Sequence, residues 1–186
     1  MHTPLIELYH AGKRYLDQTY TFSMNKGSLL LITGENGKGK TTLIQLILGF
    51  IQTDSGFVRT KKMKMGYLPE KTMLPLFVKV NRYLETMARI KKTEVDYRLI
   101  LELNVPLNKG IHELSKGNQQ KLAIISTLMG CPDLVILDEP LSGLDDESKQ
   151  ALFQLIKAKK NEQMSFIITT HQPSFFMSLA DAHLAL

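Results

Sequence analysis

An α/β fold built on a mostly parallel sheet is what this sequence predicts, and the strand-like runs, the turns after them and the helical spacing beyond predict it. Leu29 to Thr33, Leu134 to Leu137 and Phe166 to Thr169 are apolar runs too short for helices. Each is followed by a glycine-rich or polar turn and then by residues that suit a helix. Such alternation joins parallel strands through covering helices, and strands covered on both faces read as continuously apolar.

The elements follow in order. The first ~28 residues hold two alternating segments, Leu5 to Tyr9 and Tyr20 to Met24, which predict antiparallel strands added to one edge. Leu29 to Thr33 ends at Gly34, and an apolar helical pattern then runs from Lys40 to Gly49. That order is strand, glycine turn, helix and glycine stop. From roughly Leu76 to Met129 the pattern changes, because Val80, Tyr83, Leu84 and Met87, and then Leu99, Ile100 and Leu103, recur at helical spacing. An inserted helical subdomain is expected there. Glu147 to Lys160 predicts a further helix before the strand Phe166 to Thr169. The sequence has no internal repeat, low-complexity tract or Pro/Gly-rich linker, so residues 1–186 are expected to form a single domain.

Composition narrows the function classes. With 186 residues, 44% of them hydrophobic, the chain can bury its own core. Cys131 is its one cysteine and cannot form an internal disulfide, which suits a reducing compartment. The start, Met1-His2-Thr3-Pro4, lacks the order of a secretory signal, and no apolar run approaches the ~18 residues that cross a bilayer. The formal net charge is +5, but Lys61, Lys62, Lys64, Lys91 and Lys92 lie among apolar residues without interleaved aromatics, so no nucleic acid partner is expected.

The chemistry begins at Gly34-Glu35-Asn36-Gly37-Lys38-Gly39-Lys40-Thr41, with Thr42 continuing into the helix. This fits G-x-x-x-x-G-K-S/T after a strand and before a helix, the pattern of a phosphate-binding loop. The glycines allow backbone amides to converge on phosphate oxygens, and the helix N-terminus adds partial positive charge. Lys40 is placed to bridge β- and γ-phosphates and the Thr41 hydroxyl to bind Mg²⁺. Further on, Leu134 to Leu137 leads into Asp138-Glu139-Pro140, two adjacent carboxylates at the C-terminal end of a buried strand. By itself such a pair is most simply a helix-start cap. Downstream of a phosphate loop it reads as Asp138 reaching Mg²⁺ and Glu139 accepting a proton from the water that attacks the γ-phosphate.

Leu114-Ser115-Lys116-Gly117-Asn118-Gln119-Gln120-Lys121 then resembles the signature sequence of ATP-binding cassette (ABC) ATPases. The order continues as in that family, with Asp138-Glu139-Pro140, then Leu141-Ser142-Gly143-Leu144-Asp145 resembling the D-loop, then Thr169-Thr170-His171 resembling the switch histidine. The match covers nearly the whole chain. It implies a P-loop NTPase fold, ATP and Mg²⁺ as ligands, and hydrolysis helped by His171. It implies further that Ser115, Lys116, Gly117 and Asn118 face ATP held by a second ABC ATPase domain, in a homodimer or a heterodimer. Tyr15 resembles the aromatic residue that stacks on adenine, with Tyr9 and Tyr20 as competitors. Glu70, after Gly66-Tyr67-Leu68-Pro69, stands where the family usually has a glutamine that contacts Mg²⁺ and senses a membrane partner. Lys38, Lys116 and Asn118 depart from the usual residues as well.

Ending at Leu186, the chain resembles the short ATPase subunits of some bacterial exporters. Leu74, Leu76, Phe77 and Val78 lie where the family receives a membrane subunit, although ordinary core is an equal reading of them. The expectation is therefore an exporter's ATPase subunit, peripheral at the cytoplasmic face of the membrane and paired with separate membrane-spanning subunits. A soluble ABC-type ATPase serving macromolecular assembly is the alternative. A kinase on the same loop fits less well, because Glu139 and His171 favour water as acceptor.

Overall fold

The structure is a computed structural model that describes residues 3–186, so the reading of Met1-His2 lies outside the described residues. In chain order it comprises β1 (Ile6–Gly12), β2 (Thr19–Met24), β3 (Leu29–Thr33), α1 (Lys40–Leu48), β4 (Ser55–Thr60), β5 (Met65–Leu68), α2 (Val80–Lys91) and α3 (Tyr97–Glu102). A 3₁₀ turn at Ile111–Glu113 leads into α4 (Lys116–Leu128), β6 (Leu134–Asp138), α5 (Asp146–Asn161), β7 (Ser165–Thr169), α6 (Pro173–Phe176) and β8 (Ala182–Ala185).

Two sheets form. β5, β6, β7, β3 and β8 lie side by side in that order and every pair is parallel, while β2, β1 and β4 make a separate antiparallel sheet. The parallel register sets Ile32 opposite Thr169 and Asp138 opposite the same Thr169, so β3, β6 and β7 end together at one edge. A two-residue side-chain period then divides the strand residues between two cores. Leu29, Leu31, Val135, Leu137, Phe166 and Ile168 face a core completed by α2 to α6. Leu30, Ile32, Leu134, Ile136 and Ile167 face a second core completed by α1 and the inner face of the antiparallel sheet. The antiparallel segments read from the sequence are thus a sheet packed over α1 rather than extra strands on the parallel edge.

Local sequence accounts for most element ends. α1 stops at Gly49, which adopts a left-handed conformation and donates its N–H to the Leu46 carbonyl at 3.2 Å. The Asp96 side chain caps α3 by accepting from Arg98 N–H, and Asp145 caps α5 by accepting from Ser148 N–H at 2.8 Å. The helical stretch expected across residues 76–129 is interrupted: α2 ends at Lys91, capped by left-handed Lys92 (φ 52°), and α4 begins only at Lys116. α4 is buried nearly all round, touching α2, α3 and β5, which explains its lack of a polar face. β4 and β5 carry no alternation a sequence reader could follow, because β4 is at most half-buried on either face and β5 has only 4 residues including Gly66.

Phe166 is fully buried on the central strand β7. Replacing it with alanine should leave a cavity that the flanking strands cannot close, at a cost of about 3–5 kcal/mol. Urea unfolding followed by circular dichroism measures this, and a loss below about 1 kcal/mol would mean that the residue does not pack as described.

Candidate functional site

The edge where β3, β6 and β7 end opens into a cavity of about 460 Å³. The loop after β3 lines it through Glu35, Asn36, Gly37, Gly39, Lys40, Thr41 and Thr42. Glu70 beyond β5, Asp138 and Glu139 at the end of β6, and His171 just beyond β7 line the same cavity. Tyr15 and Leu16, from the connection between β1 and β2, complete it. Residues far apart in sequence converge here because parallel strands deliver their C-terminal ends to one place.

The loop is held by its own lysine and braced from outside. Lys40 is only 8% exposed, and its ammonium donates to the backbone carbonyls of Gly34 at 2.6 Å and Glu35 at 3.2 Å. Those carbonyls satisfy the charge while it awaits a stronger anionic partner. Tyr20, buried on β2, donates its hydroxyl to the Gly39 carbonyl at 3.0 Å, and the Gln18 amide donates to the Lys38 carbonyl. Gly39 is left-handed (φ 91°) and lies so close to the Tyr20 hydroxyl that a Cβ there would collide with it. Lys38 itself is exposed and borders a neighbouring cleft with Tyr15 rather than the main cavity. Gly34 serves through its carbonyl and does not line the cavity.

The carboxylates sit where charge is costly. Asp138 is 4% exposed; burial pushes its carboxyl above the usual range, a hydrogen bond from the Thr169 hydroxyl opposes the shift, and the charge of Glu70 adds to it. Glu139 is also raised by burial, against the pull of His171 and Lys40. Its backbone is left-handed (φ 51°), a conformation that costs energy for a side chain of this size. One backbone N–H reaches its carboxylate from just beyond β7: Oε2 accepts from His171 N–H at 3.3 Å. Oε1 is buried without a hydrogen bond; His171 Nε2 stands 3.4 Å away, within ion-pairing range but not hydrogen-bonded to it.

This donor set suits a hard divalent cation bound with phosphates. It offers the Thr41 hydroxyl, the Asp138 and Glu70 carboxylates and an orphaned oxygen on Glu139, with all four residues lining one cavity.

Not every residue singled out in the sequence joins the cavity. Ser115, Lys116, Gly117, Asn118 and Asp145 lie outside it. Ser115 is the N-cap of α4, accepting from Asn118 N–H at 3.2 Å, and Asp145 is the N-cap of α5. Gly117 packs so closely on the 141–145 segment that a Cβ would come within 2.7 Å of the Gly143 carbonyl oxygen. Of the tyrosines, Tyr15 is 66% exposed and lines the cavity, Tyr20 is the buried brace beneath the loop, and Tyr9 stacks on Phe57 on the antiparallel sheet. Sequence reasoning gave no role to Gln18 or Leu16, and Thr169 entered it only as a strand residue opening the switch motif. Thr169 reads as one more β-branched strand residue, and only its pairing with Asp138 reveals the role of its hydroxyl.

The raised carboxyl of Glu139 has a consequence for stability. A folded-state value above the unfolded one means that the native protein holds the proton more tightly than the unfolded chain does. Ionisation at neutral pH therefore destabilises the ligand-free fold, and the penalty fades as pH falls through the folded-state value. Glu139→Gln should melt higher than wild type at pH 7.5, with the gap closing toward pH 4. Thermal melts across that range decide it, and a constant gap would show that burial does not act on this carboxyl.

Comparison with known proteins identifies the family. Residues 18–142 match the family described as ABC transporter. An ABC transporter ATP-binding protein of Methanocaldococcus jannaschii, itself uncharacterized, is 37% identical over 96% of this chain and 70% of that protein. Zinc import ATP-binding proteins of Wigglesworthia glossinidia brevipalpis and Rickettsia bellii are 32% and 33% identical over 94% and 91% of this chain, and 78% and 77% of those proteins. The ADP conformation of an ATP-binding cassette of an ABC transporter superposes with a TM-score of 0.82 at 21% identity, covering 100% of this chain and 88% of that one, a likeness of fold. Two of these relatives are named for import, which runs against the expectation of an exporter. The motif order, the cavity it assembles and these relatives together establish that the chain belongs to the ABC transporter ATP-binding family, whose members hydrolyse ATP.

Proposed function

We propose that the chain binds ATP with Mg²⁺ in the cavity at the strand edge, hydrolyses it within a nucleotide-closed dimer, and drives separate membrane-spanning subunits from the cytoplasmic face in the import direction. The observation that carries this reading is the convergence of Lys40 and its glycine loop, the pair Asp138 and Glu139, and His171 on one cavity. Import is supported by the names of the zinc import relatives. Neither chain length nor the apolar segment, on which the exporter expectation rested, bears on direction.

A membrane partner is supported by that same segment. Phe77 is 97% exposed and Met73 95%, with Leu76 beside them, whereas Leu74 packs against the core and Val78 is half-buried. No helix of the described residues is long and apolar enough to cross a membrane.

The residues divide the work as follows. Lys40 would exchange the carbonyls of Gly34 and Glu35 for the β- and γ-phosphates, and the loop amides would hold the remaining oxygens. Tyr15 would lie against the adenine ring. Thr41 and Asp138 would hold Mg²⁺, with Glu70 nearby. When bound, that ion neutralises charge on the phosphate oxygens. Glu139 Oε1, free of hydrogen bonds, would take a proton from water as its oxygen attacks the γ-phosphorus and the bond to ADP breaks. His171, its Nε2 3.4 Å from Glu139 Oε1, would steady the carboxylate and the γ-phosphate. Ser115 and Gly117 of a second protomer would close the site, with Lys116 and Asn118 alongside and Asp145 at the seam.

Lys40→Ala should weaken ATP binding by about tenfold or more, since a charge-assisted contact in a nearly enclosed site is lost. Titration with a fluorescent ATP analogue tests this, and unchanged affinity in a folded variant would remove Lys40 from the phosphate site. Glu139→Gln should bind ATP, fail to hydrolyse it and become dimeric with ATP but not with ADP, because closure then outlasts chemistry. Adding Ser115→Arg should return it to monomer without touching the protomer's own loop. Light scattering behind gel filtration reads all of these states; hydrolysis at the wild-type rate by monomeric Glu139→Gln would sink both the base and the shared site.

A further inference from the structure

We propose that Thr169 is a positioning residue for hydrolysis, its buried hydroxyl locking the Asp138 side chain and the Glu139 backbone into one unit. The inference deepens the reading of Asp138 as a metal-holding group and Glu139 as the base, and rests on it.

Thr169 is the last residue of β7 and has no exposed surface. Parallel pairing sets it directly opposite Asp138. Its Oγ1 donates to Asp138 Oδ1 and accepts from Glu139 N–H at 3.1 Å, while its carbonyl accepts from the same N–H at 3.2 Å. The hydroxyl's one proton is thereby committed to the aspartate, which leaves its lone pairs for the glutamate amide. Donor and acceptor thus form a directed relay across the strand boundary.

The relay fixes two things that the chemistry needs. Asp138 Oδ1 is engaged by Thr169, which fixes the orientation of the carboxylate at the cavity that Asp138 lines. Glu139 is left-handed, and a residue in that conformation persists only where its surroundings hold it there. The hold comes from the end of β7: Thr169 grips the Glu139 amide, and His171, two residues on, grips its carboxylate through a backbone N–H. A β-branched residue at position 169 has few side-chain rotamers, so the hydroxyl arrives already aimed. Serine keeps that hydroxyl with more freedom. Valine keeps the shape and loses it.

The test compares Thr169→Val and Thr169→Ser with wild type in ATP binding, with and without Mg²⁺, and in steady-state hydrolysis. Removing an outer partner of a metal-holding carboxylate typically costs about 10- to 100-fold in metal affinity or activity. Thr169→Val should therefore lose kcat by about tenfold or more, with KM for ATP nearly unchanged. Mg²⁺ should tighten ATP binding less than in wild type, whereas metal-free affinity stays the same. Thr169→Ser should recover most of both losses. Thr169→Ala, which removes the hydroxyl without requiring a methyl in its place, is expected to behave as valine does and serves if the valine variant does not fold.

The proposal is overturned if valine and alanine variants keep both kcat and the Mg²⁺ effect, or if serine is as impaired as valine, since packing rather than the hydroxyl would then be responsible. Failure of the underlying reading looks different. In that case Glu139→Gln would hydrolyse normally too, or Asp138→Asn would leave the Mg²⁺ effect intact, and the role of Thr169 would fall with it.

Discussion

Parallel pairing of β6 with β7, with Asp138 opposite Thr169, is the constraint on which the rest of the site depends. Because β3 pairs with the other side of β7 and places Ile32 opposite the same threonine, one register decides where the phosphate loop, the carboxylate pair and the switch histidine emerge. A slip of a single residue would turn every side chain to the other face and exchange the two cores. Residues such as Leu31, Val135 and Phe166 on one side, and Ile32, Ile136 and Ile167 on the other, make that slip prohibitive. The hydrophobic effect thereby sets the position of polar groups that it does not itself favour.

The site built at this edge is held in readiness at a cost. Asp138 and Glu139 carry carboxyls raised by burial, Glu139 adopts a left-handed backbone, and Lys40 spends its charge on neutral carbonyls. The lysine's and the carboxylates' conditions are ones that a nucleotide with its cation would relieve, by offering phosphates to the ammonium and positive charge to the carboxylates. Groups that need not reorganise at the moment of reaction contribute more to it, so local strain in the ligand-free protein and catalytic order are two aspects of one arrangement.

The surface expected to meet a second protomer is tied to the same strand end. Pro140, directly after Glu139, offers its carbonyl to the buried Gln120 amide at 3.3 Å, and Gly117 at the start of α4 lies against the Gly143 carbonyl. The segment after the carboxylates therefore packs on the helix that begins with the signature residues. A displacement of α4 cannot leave that segment where it is, because the close approach at Gly117 admits no side chain and hence no slack.

How much of this could be read beforehand depends on how locally each feature is specified. The phosphate loop is legible because its glycines, lysine and threonine are consecutive and its flanking strand and helix announce themselves by apolar pattern. Asp138 and Glu139 are legible because they follow a buried run, and His171 because the family order leads to it. β4 and β5 were not, since four residues with a glycine, or a strand half-buried on each face, leave no period to detect. Nor could the sequence choose among Tyr9, Tyr15 and Tyr20, all near short strands; burial of Tyr20 beneath Gly39, stacking of Tyr9 on Phe57 and exposure of Tyr15 at the cavity separated them. By itself, the sequence determined the α/β class, the family and the chemical groups, because those depend on residue type at short spacing. Only the tertiary structure decided that Thr169 joins Asp138 to Glu139 and that Gln18 and Tyr20 brace the loop, because those contacts form between strands whose alignment is settled by the packing of both cores.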